Sequence, residues 1–209
     1  MLEIYLFVNP LGEHCLEAER SVLQVAEEHH DTVHYQFLPL VNLHTVTDVM
    51  KRNRFDTHDL DMRNKIFKII YAAALDYKAA LFQGKRRGQE FLMQLQDALN
   101  FHHERYTDAL ISDLVSHSGL DTAMFREDRK SQLAVESFEA DQRVACEMQI
   151  QHHPSAVVYN YADPEQDYGV MIEDCHSYEV LKQVCQGNFD AALAAQNPTN
   201  KRKQTIHIL

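Results

Sequence analysis

Apolar positions along this chain follow two periods, and the period changes twice. Residues 3–8, EIYLFV, form a short apolar run of β-branched and aromatic side chains, which predicts a buried strand. Pro10 has no N–H to offer a ladder and closes the run. A helical pattern follows. Gly12 reads as its N-cap, Glu13 and Glu17 suit the positive end of its dipole, and Cys15, Leu16, Val22, Leu23 and Ala26 make an apolar face that ends near His29-His30. Thr32 to Leu38 then alternates, with Val33, Tyr35 and Phe37 against His34 and Gln36, and predicts a second strand stopped by Pro39. A right-handed crossover makes two such strands parallel.

The middle of the chain keeps to the helical period. Ile66, Ile69, Ile70, Ala73, Tyr77 and Leu81 recur every three or four residues from Asp59 to about Gln83, and Gly84 stops them. Phe91, Leu92, Leu95, Ala98 and Leu99 mark a second helix. Thr107 caps a third, with Leu110, Ile111, Leu114 and Val115 inward and Gly119 at its end. Asp121 caps a short fourth, and Ser131 to about Ile150 gives a longer one through Ala134, Phe138, Ala145 and Met148. No element is predicted between Pro39 and Asp59. Strand patterns return at SAVVYNY, from Ser155, and YGVMIE, from Tyr168. The turn signal Asp163-Pro164 between them predicts an antiparallel hairpin. A last helix starts near Ser177, and the end of the chain reads as a loosely held tail.

This order is strand–helix–strand, a block of helices, then helix–strand–strand–helix. It is the order of an α/β, thioredoxin-like core interrupted by an all-helical insertion. The core takes residues 1–57 and 131–190, the insertion 58–130, and the tail 191–209. The helical block is too regular for a loop and too long for a crossover.

Composition narrows the function. With 209 residues, 45% of them apolar, the chain can build a core without disulfides or metals. A net charge of -11 argues against nucleic acid, which needs a basic face, and the one dense basic run, Lys85-Arg86-Arg87, reads as a solvated helix junction. No secretion signal and no run of membrane-spanning length is visible, so no membrane partner and a cytoplasmic location are expected. The four cysteines, Cys15, Cys146, Cys175 and Cys185, have no close pair and give no disulfide framework.

The stretches LFVNPLGEHC, QGKRRGQEFLMQLQDAL, GLDTAMFREDRKSQLAVESFEADQRVACEMQI and HHPSAVVYN span most of residues 3–161. In them the chain resembles the cytosolic DsbA-type thioredoxin-fold proteins of Gram-positive bacteria. Within that family it is most similar to the adaptors that present the transcription regulator Spx to the protease ClpXP. The resemblance implies a thioredoxin fold with a helical lid and a cis proline before the third core strand, matched here by Pro154 after His153. It also implies a C-x-x-C motif at the start of the first helix, and here the chain departs from the family. The motif reads Gly12-Glu13-His14-Cys15, so Gly12 replaces the nucleophilic cysteine and Cys15 matches the second, resolving one. A local disulfide cannot form, and dithiol exchange within the motif is chemically impossible.

Several uses of this site stay open. Cys15 is either a packed small residue or a monothiol that forms a mixed disulfide with glutathione or a partner thiol. His14, which in the family helps stabilise the nucleophile, reads as a solvated helix-start histidine. His153 approaches the helix mouth if Pro154 is cis. Cys15, His14 and His153 lack zinc spacing and a fourth ligand, so no metal and no cofactor are expected. The amides of Gly12, Glu13 and His14 form a mouth that suits a carbonyl or carboxylate of a partner, and the backbone at His153 and Pro154 suits an extended peptide. Two function classes follow. One is a redox-degenerate adaptor that binds a protein, an Spx-like regulator and ClpXP by the resemblance. The other is a thiol-disulfide oxidoreductase or isomerase working through a single cysteine.

Overall fold

A computed structural model describes residues 1–29, 32–161, 168–194 and 205–208. The chain divides into two compact units: Met1–Val8, His14–Leu38 and His152–Leu209 make one, Asn9–Glu13 and Pro39–Gln151 the other. The helical unit is therefore wider than the 58–130 read from the sequence.

The first unit holds the strands β1 (Leu2–Val8), β2 (Val33–Pro39), β3 (Ser155–Asn160), β4 (Gly169–Glu173) and β5 (Thr205–Ile208), and the helices α1 (Cys15–Glu28), α8 (Tyr178–Cys185) and α9 (Phe189–Ala194). Its sheet runs in the order β2-β1-β3-β4-β5. The Leu2 N–H donates to the Thr32 carbonyl at 2.7 Å, so β1 and β2 start side by side and run parallel, as a crossover through α1 requires. The remaining pairs are antiparallel. Ile4 faces Val158 and Leu6 faces Ala156, while Ala156 faces Ile172 and Val158 faces Val170. These side chains share one face of the sheet because strand residues alternate, and all are buried. Helix α1 lies against β1, α8 against β3, and the two helices touch each other. Val22 and Val25 of α1 and Leu181 and Val184 of α8 are buried there.

The second unit contains α2 (Leu43–Arg52), α3 (Leu60–Phe82), α4 (Lys85–Asn100), α5 (Asp108–His117), α6 (Thr122–Asp128) and α7 (Gln132–Glu147). The sequence-predicted caps Thr107 and Asp121 act as such, and Ser131, read as the first residue of its helix, caps α7: each accepts the backbone N–H three residues on. Gly119 ends α5 at a φ of 65°, a left-handed conformation that glycine adopts without strain. Helices α3 and α4 cross closely at Gly88, where a β-carbon would stand 2.8 Å from the Leu81 Cα. One apolar cluster joins Ala73, Ala80, Phe91, Leu95, Ile111 and Phe125, and a second joins Val46, Val49, Met50, Ile66 and Ile70. Lys78 of α3 and Asp141 of α7, both buried, form an ion pair at 2.6 Å.

Three elements go beyond the sequence reading. Helix α2 fills the stretch left without structure, and its signal was present. Asn42 and Thr45 form a reciprocal capping box, each side chain holding the other's amide at 2.9 Å. The tail is not loose throughout, since α9 forms and Thr205–Ile208 pair antiparallel with β4. Gly12 does not cap α1. His14 occupies that position, because the turn before the helix is used up by Asn9–Glu13 in the other unit. Asp163-Pro164 and His30 lie outside the described residues.

Candidate functional site

Helix α1 opens with Cys15 as its first residue, at the positive end of the helix dipole. Its cap His14 makes no side-chain cap bond, and the His14 carbonyl accepts the first helical N–H, from Ala18 at 3.3 Å. The Cys15 side chain is 0% exposed. Its Sγ lies 3.6 Å from Nδ1 of His153, within reach of a hydrogen bond between thiol and imidazole. The dipole favours a thiolate here, while complete burial opposes one.

His153 is half-buried and joined to Pro154 by a cis peptide bond. The turn it belongs to is tied on both sides. The Pro154 carbonyl accepts the Cys175 N–H at 2.9 Å, and Ser155 Oγ donates to the His152 carbonyl at 2.9 Å. The approach of His153 to the helix mouth, expected from the proline, is thus realised within the first unit. His14 is more open, its Nδ1 3.9 Å from the Glu17 carboxylate. Its ring also faces that of His176, with centroids 6.4 Å apart. His176, which sequence reasoning did not single out, donates from Nδ1 to the Asp174 carbonyl at 2.6 Å. No spacing rule marks it, because it reaches His14 only through the fold. Among the described residues, no three His, Cys, Asp or Glu side chains gather closely enough to hold a metal ion.

The other cysteines differ in kind. Burial pushes the Cys175 and Cys185 thiols up to about 12, so both stay protonated, while Cys146 is exposed. All four are free thiols.

Gly12 and Glu13 belong to the helical unit, and its side chains fix the segment around them. Asn9 Oδ1 accepts the Leu11 N–H at 2.9 Å, and the Asn9 carbonyl accepts the Gly12 N–H at 2.7 Å. Arg52 donates to the Leu11 carbonyl at 2.7 Å and Asn100 to the Gly12 carbonyl at 3.3 Å. The Gly12 amide is therefore consumed by a turn, which corrects the expectation that it opens toward a partner. Gly12 itself is buried, and Glu13 is exposed.

Residues 5–183 match the protein family described as thioredoxin. The chain belongs to this family. Among curated proteins it is similar to the ClpXP adapter protein SpxH of Staphylococcus saprophyticus, with 26% identity over 183 residues, 88% of this chain and 64% of that protein. SpxH of Bacillus subtilis is 24% identical over 199 residues, 88% of this chain and 66% of its own length. The chain spans just under two thirds of these relatives. Its fold is shared with a probable DsbA oxidoreductase from Streptomyces coelicolor, at a TM-score of 0.61 and 16% identity over 97% of this chain and 94% of that one. BdbD from Bacillus subtilis follows at 0.59 and 14% over 90% and 88%. The DsbA-type fold read from the sequence is thus the fold of this protein. Among the described residues, no helix is long and apolar enough to cross a membrane.

Proposed function

We propose that this protein is a redox-inactive member of the thioredoxin family that works in the cytoplasm as an adaptor, delivering an Spx-like regulator to the ClpXP protease. One observation carries the reading. The sulfur at the start of α1 is fully buried against His153, and Gly12 stands where the family's first cysteine would be. A buried single thiol offers neither the exposed thiolate that attacks a disulfide nor a second sulfur to resolve the product. Similarity to SpxH over 88% of the chain supplies the partner class. The proposed partner contacts are the half-buried His153 with Pro154 in the sheet unit and, in the helical unit, the exposed Glu13 beside Gly12. Neither set uses a reactive sulfur.

The test is reconstitution of ClpXP with an Spx-type substrate. The protein accelerates degradation, equally with and without reductant, and does not reduce insulin. No acceleration together with no retention of the substrate on immobilised protein refutes the adaptor reading. Catalytic insulin reduction refutes the redox-inactive one.

A second reading has the Cys15–His153 contact in its favour. With His153 taking its proton, Cys15 would attack the disulfide of oxidised glutathione or of a partner protein, forming a mixed disulfide and releasing the other sulfur as a thiol, provided the site opens. Mass spectrometry of protein taken from cells would then find an adduct on Cys15.

A further inference from the structure

The two faces of the strands β1 and β3 are built differently. Ile4, Leu6, Ala156 and Val158 lie on one face and are buried. Glu3, Tyr5 and Tyr159 alternate with them and lie on the other. All three are half-buried, and Tyr161, two residues beyond Tyr159, is 55% exposed. The Tyr161 N–H donates to the Met1 carbonyl at 2.9 Å, so the chain is still held beside β1 at that point.

The rings on this face pack in a definite order. Tyr5 meets Tyr159 edge to face, with centroids 6.2 Å apart and planes at 85°. Tyr159 and Tyr161 lie nearly parallel, with centroids 6.1 Å apart and planes at 8°. Tyr159 stands opposite Gly169 of β4, where a β-carbon would come within 2.8 Å of the ring, so glycine gives the ring its room. Glu3 is the cross-strand neighbour of Tyr159 on β1. Its carboxylate accepts a hydrogen bond from the Tyr5 hydroxyl at 3.1 Å and, among the described residues, forms no ion pair.

These features set the chemistry of an occupant. The face of an aromatic ring carries negative potential and attracts a cation placed over it. The Glu3 carboxylate beside the rings adds a full negative charge, on a chain whose net charge is -11. A purely apolar partner would cover that carboxylate without a counter-charge, at a cost in desolvation, and an anionic partner would be repelled. An arginine satisfies both parts at once. Its flat guanidinium stacks on an aromatic face, and its forked N–H donors match a carboxylate. A lysine ammonium is more strongly hydrated and does not stack.

We infer that the tyrosine patch of Tyr5, Tyr159 and Tyr161, with Glu3, is a docking site for an arginine-bearing segment of a partner protein. Strands β1 and β3 lie inside the sheet, so the segment is held through its side chains and not as an added strand. The inference rests on the adaptor reading in taking the occupant to be a protein, and it uses neither Cys15 nor His153.

The full chain, with isotope-labelled tyrosine rings, is titrated with a blocked peptide of alternating alanine and arginine. Two control peptides carry lysine or citrulline in place of arginine. The arginine peptide shifts the ring signals of Tyr5, Tyr159 and Tyr161 saturably. The lysine peptide binds more weakly, and the citrulline peptide, of the same shape without the charge, moves none of them. Glu3→Gln and Tyr161→Ala each keep the circular dichroism of the wild type. Each weakens the arginine peptide by about threefold to fivefold, the loss expected of one partly solvated charge or cation–π contact. Unmoved ring signals overturn the inference. So does lysine or citrulline binding as tight as that of arginine, or undiminished binding by either folded variant. The titration contains no ClpXP, so a failure here is distinct from a failure of the adaptor reading.

Discussion

Cys15 Sγ and His153 Nδ1 stand 3.6 Å apart although 138 residues separate them in the chain. The relationship ties the first turn of α1 to the residue before β3. It also gives the buried sulfur a polar neighbour. Cys15 is fully buried, and its imidazole contact makes it part of the packing of the sheet unit.

Accessibility of the four thiols separates the two readings of Cys15. In native protein treated briefly with a thiol reagent, peptide mapping finds Cys146 labelled and Cys15, Cys175 and Cys185 protected, and denaturant exposes all four. Burial pushes the Cys175 and Cys185 thiols up to about 12, which slows them further because the thiolate is the reacting form. Labelling of Cys15 as fast as Cys146 contradicts the buried-pair picture.

The strength of the Cys15–His153 contact is measurable by a double-mutant cycle of Cys15→Ala and His153→Ala in urea unfolding. A buried hydrogen bond of this kind contributes about 0.5–1.5 kcal/mol, so the double variant is more stable than the sum of the single losses allows by roughly that amount. Strict additivity means that the two side chains do not interact.

Asp76 makes stability depend on pH in an unusual direction. Burial pushes its carboxyl up to about 6 from 3.8, against the opposing pull of the Tyr106 hydroxyl and the Arg129 charge. Between those values the folded chain keeps a proton that the unfolded chain has lost. The contribution of Asp76 is therefore full below about 3.8 and is lost as pH rises through about 6, by at most about 3 kcal/mol. Urea midpoints across this window show the wild type losing stability relative to Asp76→Asn as pH rises. A gap that widens in favour of the wild type reverses the sign and refutes the assignment.

Gly88→Ala tests the closest approach of two helices. The added methyl would meet the Leu81 backbone at 2.8 Å, and backbone in a packed helix pair yields little. Alanine ordinarily favours a helix over glycine by about 1 kcal/mol. The variant nonetheless loses about 1–3 kcal/mol in thermal or urea unfolding. A stabilised variant shows that α3 and α4 can separate freely.

Much of the fold was legible because local rules state it directly. The helical period of Ile66, Ile70, Ala73 and Tyr77 survives in α3, and Thr107, Asp121, Ser131 and Ser177 cap where their short oxygen side chains predict. Helix α2 is written in the same code, in the Asn42–Thr45 box and the face of Val46, Val49 and Met50, within the stretch for which no element is predicted. Strand β5 was not legible. Four residues, TIHI, form a strand only because β4 offers an edge to pair with.

The sequence alone determined that this protein has no cysteine pair at the start of α1, since covalent chemistry at residues 12 and 15 does not depend on folding. It also determined most of the order of helices and strands, from β1 to α8 with α2 excepted, because periodicity and caps act between near neighbours. Tertiary structure decided which side chains meet. It set His153 against Cys15, spent the Gly12 amide in a turn of the helical unit, and enclosed Asp76 with Arg129 and Tyr106. The Asp76–Tyr106 and Cys15–His153 meetings span 30 and 138 residues of chain, and such distances are closed only by the burial of the apolar faces that the local patterns create.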